Sequence, residues 1–421
     1  MILFYLLIAI MPLEAHRFWG GQVGGPLTIV KLVGLLCFLV AAFRILAQGS
    51  RPPFFQSATS WWYAAFFLLQ CSSYLVQGGK LANPGGSYSQ IVSFFLLYVS
   101  TLTLVNSRPR LRRALLVAIG AVGFTSLYAI REWQKYHGIY AEFRPGGMLS
   151  DANEYALIAG LWMPMAFLWA FGKRPRWEKV FCMGCLACCL LGTAFAASRG
   201  CILGMAASFL FLIWHSPQRA RNLALAALLL VPIGLIGAHS VLDRYLHPSH
   251  SDQLAKEARF VAWQAGWNMI TAHPMFGVGL ENFKAEMPYY QATNIKTDTV
   301  AHNTYVEITA ELGVPALLLF LGMWVASFRM LGRVRVRTRK GRLRGLFPIA
   351  LGLQAGIVGY MVNAFFLSTS WYKMVWLLLF LSLCLNHLEE AARAPQIEEE
   401  ATYTDWASYL DAQPDRPTPV L

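Results

Sequence analysis

Apolar runs bounded by charged residues or Gly/Pro clusters recur along the chain. They predict helices over 1–13, 26–47, 58–77, 88–106, 114–130, 153–172, 178–197, 200–214, 222–239, 304–328, 346–367 and 371–388. Crossing a bilayer takes about 20 apolar residues, so most of these runs read as membrane spans. The predicted fold class is an all-α polytopic membrane protein of about 12 transmembrane helices, with a large loop between the ninth and tenth. The first run is short and lacks a basic leading segment, and Leu13-Glu14-Ala15 is a poor cleavage site. It reads as a short first span, or as a gene start placed too late.

Composition agrees with the pattern. The chain has 421 residues, 56% of them hydrophobic and 14% charged, against about 45–50% and about 25% in soluble domains. These values exclude a disordered or collagen-like chain and most soluble enzymes. A dozen spans need about 240 residues, close to the hydrophobic share of this chain.

The net charge of +13 raises the question of nucleic acid, and its distribution answers it. Short basic connections stay cytoplasmic. Five short connections on one side carry twenty bases, including Arg108, Arg110, Arg112 and Arg113 and the run Arg329 to Arg344. The other side carries twelve, from Arg17 to Lys373, spread over longer segments. Both termini are therefore expected in the cytoplasm, and no nucleic-acid partner is expected. The segment 389–421 holds eight acids and two arginines, so it reads as an acidic, solvated and disordered cytoplasmic tail without chemistry. Residues 1–388 form the membrane domain.

All eight cysteines fall in or at the ends of predicted spans. Cys182, Cys185, Cys188 and Cys189 have spacings that suggest a metal motif, but on an apolar helix they read as packing residues.

Two segments on the expected external side exceed simple turns: 131–152 and 240–303. Within the second, Arg259, Trp263 and Trp267 fall at i, i+4 and i+8, on one predicted helix face. Next comes His273-Pro274-Met275-Phe276-Gly277-Val278-Gly279, a glycine-rich turn in which His273 is expected to cap the preceding helix. His302, followed by Asn303, ends the loop and titrates near neutral pH, which suits a base. Glu307 and Glu311 follow one and two turns later. Arg199, between two apolar runs, is costly there unless paired or facing a wet cavity. By the parity of the spans Arg199, Arg259, His302 and the 131–152 segment share one face. Two guanidinium groups and a histidine on one face suit an anionic, diphosphate-bearing substrate.

At these residues the sequence resembles the O-antigen ligase/polymerase superfamily of membrane glycosyltransferases. The resemblance lies in Ser198-Arg199-Gly200, in Arg259 with Trp263, in the 273–279 turn, and in His302-Asn303 followed by nine residues and Gly313. Asp151-Ala152-Asn153-Glu154 resembles the Asp-x-Asn segment of such ligases. Three residues after Gly313, where family ligases usually carry Gly, Thr or Tyr, this chain has Ala316.

The resemblance implies an enzyme of the bacterial inner membrane, with its active site facing the periplasm. Its donor is a glycan on undecaprenyl diphosphate; its acceptor is a hydroxyl of lipid A-core, of a growing polysaccharide, or of protein. Carried over, Arg199 and Arg259 hold the diphosphate and His302 takes the acceptor proton in an inverting displacement. Glu311, Asn303, Lys80, Arg144 and Asp151 are further site candidates; Lys80 and Arg144 would add phosphate contacts, and Glu311 would either orient or polarise His302 or serve as a buried helix-packing group. No cofactor and no metal are expected, because the arginines replace the cation. The most expected activity is that of an O-antigen ligase in lipopolysaccharide biosynthesis. The alternatives are a polymerase or protein O-glycan ligase of the same superfamily, a polysaccharide transporter, or a structural membrane partner.

Overall fold

The computed structural model describes residues 1–13, 28–49, 51–76, 84–139, 143–149, 151–229, 231, 250–292 and 298–411. Among them there is no strand, and the chain is a membrane protein built of helices. In chain order they are α1 (Ile2–Ile10), α2 (Ile29–Gln48), α3 (Ala58–Val76), α4 (Pro84–Leu104), α5 (Arg108–Tyr136), α6 (Ala152–Ala170), α7 (Arg176–Ala196), α8 (Arg199–His215) and α9 (219–229). They continue with α10 (His250–Ala272), α11 (Phe283–Tyr290), α12 (Thr304–Leu312), α13 (Val314–Arg337), α14 (Phe347–Asn363) and α15 (Lys373–Asp411).

Five stretches are long and apolar enough to cross a membrane: α2, α5, α7, α13 and Lys373–Ala394 of α15. Four shorter apolar stretches, Ile2–Leu13, Tyr88–Leu104, Arg199–His215 and Phe347–Asn363, coincide with further expected spans. Half of the expected span 222–239 lies outside the described residues, as do Lys80 and parts of the 240–303 loop.

The expected single span 304–328 is instead two helices. Gly313, with φ 87° and ψ 171°, ends α12 and begins α13. That conformation is open essentially to glycine alone, and a hydropathy window averages across it.

The bundle is organised around α6, which is buried along nearly its whole length and packs on α7, α8 and α14. A helix apolar on every side belongs in such a position. Small residues let neighbours approach. Cys185 of α7 sits against Gly123 of α5, and at the α8–α14 crossing Gly204 lies under Asn363 while Ser208 Oγ donates to the Ala355 carbonyl at 2.7 Å. Cys189 accepts from Ser126 Oγ at 3.3 Å, so this part of the cysteine-rich helix serves packing.

At the basic end, two of the arginines that set the expected topology also neutralise buried acids. Arg112 pairs with Glu178 at 2.6 Å and Arg337 with Glu389 at 3.3 Å, and both glutamates are fully buried. Glu389, the first acid of the expected tail, is therefore part of the packed bundle. The backbone of α15 stays helical through the acidic stretch to Asp411. Residues 412–421 lie outside the described residues.

Candidate active site

Three non-glycine residues among those described have a positive φ: Ala197 at 46°, Glu281 at 57° and His302 at 48°. Each costs about 1 kcal/mol relative to the right-handed region, and such strain collects where a fold over-determines a functional geometry. Ala197 ends α7 in the left-handed conformation, so that Ser198 and Arg199 start α8 within two residues. His302 makes the corresponding turn before α12.

Asn303 explains why an asparagine follows the histidine. It is the N-cap of α12, and its Oδ1 accepts from the backbone N–H groups of Tyr305 and Val306 at 3.0 and 3.2 Å. Asp151 does the same for α6, accepting from Asn153 and Glu154 N–H at 2.8 and 3.0 Å. Both motif residues therefore carry a structural duty. Asp151 remains exposed, whereas Asn303 is buried.

Helix α10 brings the second arginine. Trp263 donates its indole N–H to the Ala301 carbonyl at 2.8 Å and sets its ring against Phe365. This ties α10 to the residue before His302, and Arg259 lies one turn earlier on the same face. Trp267 does not share that face: it is 65% exposed. Each i+4 step advances about 40° beyond a full turn, so two steps carry Trp267 away from the inward side.

The electrostatics show what these turns bring together. Burial lowers the pKa of His302, Arg259 lowers it further, and Asp151 opposes both. Burial likewise lowers that of Arg259, against Asp151 and with Arg199 as a repelling neighbour. Arg199, Arg259, Asp151 and His302 therefore form one cluster, drawn from α8, α10, the start of α6 and the start of α12. His302 lies under the opposing influences of an arginine and a carboxylate, and burial favours its neutral form.

A nine-residue loop, 364–372, joins these elements, and the sequence reading did not single it out. Thr304 donates its N–H to the Ala364 and Leu367 carbonyls at 2.8 and 3.0 Å and its hydroxyl to Leu367 at 2.6 Å. Thr369 N–H returns a bond to the Thr304 hydroxyl at 3.0 Å. Phe366 fills the space beside Gly200, directly after Arg199. Tyr372 lies beside Glu154. The one available signal was the polar and aromatic run Ser368-Thr369-Ser370-Trp371-Tyr372 between two apolar spans.

Arg144 is committed to the protein: its Nε donates to the Ala196 carbonyl and its Nη2 to Asn153 Oδ1, each at 2.8 Å. It fastens the turn before Arg199 to the start of α6, where the sequence suggested a phosphate contact. Glu311 is fully buried at the far end of α12, about 12 Å of helix rise from His302. Its Oε1 accepts from Phe283 N–H at 3.2 Å. Burial, with Glu307 beside it, pushes its carboxyl up. It supports the 281–283 turn and does not orient the histidine. His273 closes the end of α10 as expected, its backbone N–H donating to the Met269 carbonyl at 2.8 Å, and its ring meets Tyr290 Oη at 2.8 Å.

The two glycine motifs are one interlock. Val278 and Gly279 N–H donate to the Ala310 and Glu311 carbonyls at 2.8 and 2.9 Å, and Val314 N–H donates to Pro274 at 2.8 Å. A Cβ on Gly277 would overlap the Glu311 backbone, and one on Gly313 the Met275 backbone. Both glycines also have positive φ, 62° and 87°. Gly277→Ala is expected to lower stability by about 2–4 kcal/mol, the sum of left-handed strain and overpacking. Gly138→Ala, at φ 87° with open space around it, should cost only the strain. Thermal unfolding of the two variants in detergent measures the difference; equal losses would show that the interlock contributes nothing.

Residues 184–321 match the family model described as O-antigen ligase, which supports placing the chain in the O-antigen ligase-like superfamily. The matched stretch holds Arg199, Arg259, the 273–279 turn, His302 and Gly313. A search of curated proteins gives no match.

Proposed function

We propose that this protein transfers a glycan from an undecaprenyl diphosphate-linked donor to an acceptor hydroxyl, acting as an O-antigen ligase on the periplasmic side of the bacterial inner membrane. In this reading the helices make twelve crossings with both termini cytoplasmic. The observation that carries the reading is His302 set beside Arg259 and Asp151, with Arg199 next to Arg259.

The chemistry follows from the charges. A diphosphate is a good leaving group whose departure builds negative charge, and the two guanidiniums meet that charge with bidentate, permanently cationic donors. The acceptor hydroxyl attacks the anomeric carbon as its proton passes to the His302 imidazole. The carbon–oxygen bond to the diphosphate breaks, and the configuration inverts. No general acid is required for such a leaving group. Asp151 faces the imidazolium that results and stabilises it. Polymerases and protein ligases of the same superfamily share this chemistry, and the acceptor distinguishes them.

The test is transfer from purified lipid-linked donor to acceptor across the pH range. Because the His302 pKa is lowered, the imidazole stays neutral further into acid, so the acidic limb of kcat/KM should fall below the ordinary histidine value of 6.5. Arg259→Gln removes a lowering charge and should move the limb up. Asp151→Asn removes a raising charge and should move it down. Donor movement across the bilayer without any transfer would mark a transporter and sink the proposal.

A further inference from the structure

The acids at the basic end of the bundle do not balance the bases there. Between Glu178 and Asp243, and again between Glu311 and Glu389, the sequence holds no acid. The two buried acids at this end, Glu178 and Glu389, are committed to Arg112 and to Arg337 with Arg393. What is left over gathers where the end of α8 meets the last turns of α13. Among the described residues, Arg219, Arg335 and Arg339 make no ion pair. Arg335 Nη1 is buried and has no hydrogen-bond partner among them. A buried charged donor left in this way is costly until something accepts from it.

Aromatic rings hold these cations in place. The Arg335 guanidinium lies over Phe211, 5.5 Å from the ring centre, and that of Arg219 over Trp214 at 5.3 Å. The His215 ring rests against Phe211 at 4.2 Å, and its Nδ1 meets the Phe211 carbonyl at 3.0 Å. Arg219 and Arg335 both act electrostatically on His215, and Arg339 acts on Arg335. Four basic groups from two helices and a turn therefore share one neighbourhood. The turn is itself fixed, because Ser216 Oγ accepts from Asn222 Nδ2 at 2.7 Å and from Gln218 N–H at 3.3 Å. Beside the cations Leu210, Trp214 and Val336 are exposed. Guanidinium forks suit a phosphate, and an exposed tryptophan between charge and apolar surface belongs at a lipid interface.

We infer that this end of α8 and α13 binds the phosphate of an anionic phospholipid, held by Arg219 and Arg335, with Leu210 and Trp214 against its acyl chain. Membrane topology asks only that bases be numerous on one side; it does not ask for an acid-free set braced on aromatic rings. Arg199 stands at the opposite end of α8, so the site is distinct from the Arg199–Arg259 pair and does not depend on the glycan-transfer reading.

The experiment uses the full chain in phosphatidylcholine nanodiscs, titrated with phosphatidylglycerol or with inorganic phosphate, and counts bound ligand by native mass spectrometry. Arg219→Gln with Arg335→Gln should weaken binding of the first phosphatidylglycerol at least tenfold. Arg108→Gln with Lys173→Gln removes the same charge from exposed positions of other basic connections, and should change that binding less than twofold. Unaltered binding in the Arg219/Arg335 variant overturns the inference. An equal loss in the Arg108/Lys173 variant overturns it too, because the attraction would then belong to the whole basic side. Inorganic phosphate binding as tightly as the phospholipid would show that no lipid is recognised. Should the double arginine variant not fold, Arg219→Gln alone, at an exposed position, is expected to lose at least threefold, and wild-type affinity there overturns the inference equally.

Discussion

His302→Asn is expected to lower kcat for glycan transfer by about 10²–10⁴, the range that a positioned general base contributes, while leaving the donor KM nearly unchanged. Asparagine is the informative replacement because position 302 has φ 48°, and asparagine tolerates the left-handed region better than most residues. An alanine there would add backbone strain to the loss of the base. The imidazole is also poorly replaced by solvent: His302 is partly buried between Arg259 and Asp151, and a water in its place has no comparable basicity. Equal amounts of protein in the membrane must be verified for each variant. Transfer at the wild-type rate by His302→Asn would remove the histidine from the mechanism.

Replacing the arginines should be nearly as costly, and unequally so. One preorganised donor to a developing oxyanion is worth about 3–4 kcal/mol, or about 10²–10³ in rate. Arg259 is half-buried and faces both His302 and Arg199, whereas Arg199 is exposed at the start of α8. Screening weakens exposed charges more than buried ones, so Arg259→Ala should lose the larger factor. Arg259→Lys keeps the charge and loses the planar fork, and it should recover only part of the rate. The double variant should lose less than the product of the single losses, because both groups meet the same diphosphate. If Arg259→Ala and Arg199→Ala each transfer glycan within a factor of three of wild type, the charge clamp does not exist.

Much of the site could be read from residue type and side of the membrane. An arginine between spans, a second on an amphipathic helix and a histidine at the end of the long loop each stand out against an apolar background, and the structure gathers them. What sequence left hidden are the contacts made by backbone. The carbonyls of Ala364 and Leu367 that hold Thr304, and the carbonyls of Ala310 and Glu311 that receive the 273–279 turn, leave no trace in side-chain chemistry. The break at Gly313 was concealed for a related reason, since the apolar residues on either side form one continuous run. Arg144 shows what residue type leaves out. Its type suggested a phosphate, and two of its donors go to Ala196 and Asn153, an arrangement that only the folded chain reveals.

The division of 304–328 into α12 and α13 bears on how the enzyme responds to its bilayer. When hydrocarbon thickness changes, a spanning helix adjusts its tilt, and α13, unlike α12, is long and apolar enough to span. The histidine rides on α12, which is fixed at one end by Thr304 to the 364–369 loop and at the other by the 274–279 backbone. In the proposed reading the position of the base is thus referenced to protein, and any change of tilt is expected in α13, beyond its pinned first residue. On the proposed reading, a histidine held this way keeps its place when acyl chains lengthen or shorten, so the rate of glycan transfer is expected to be insensitive to bilayer thickness.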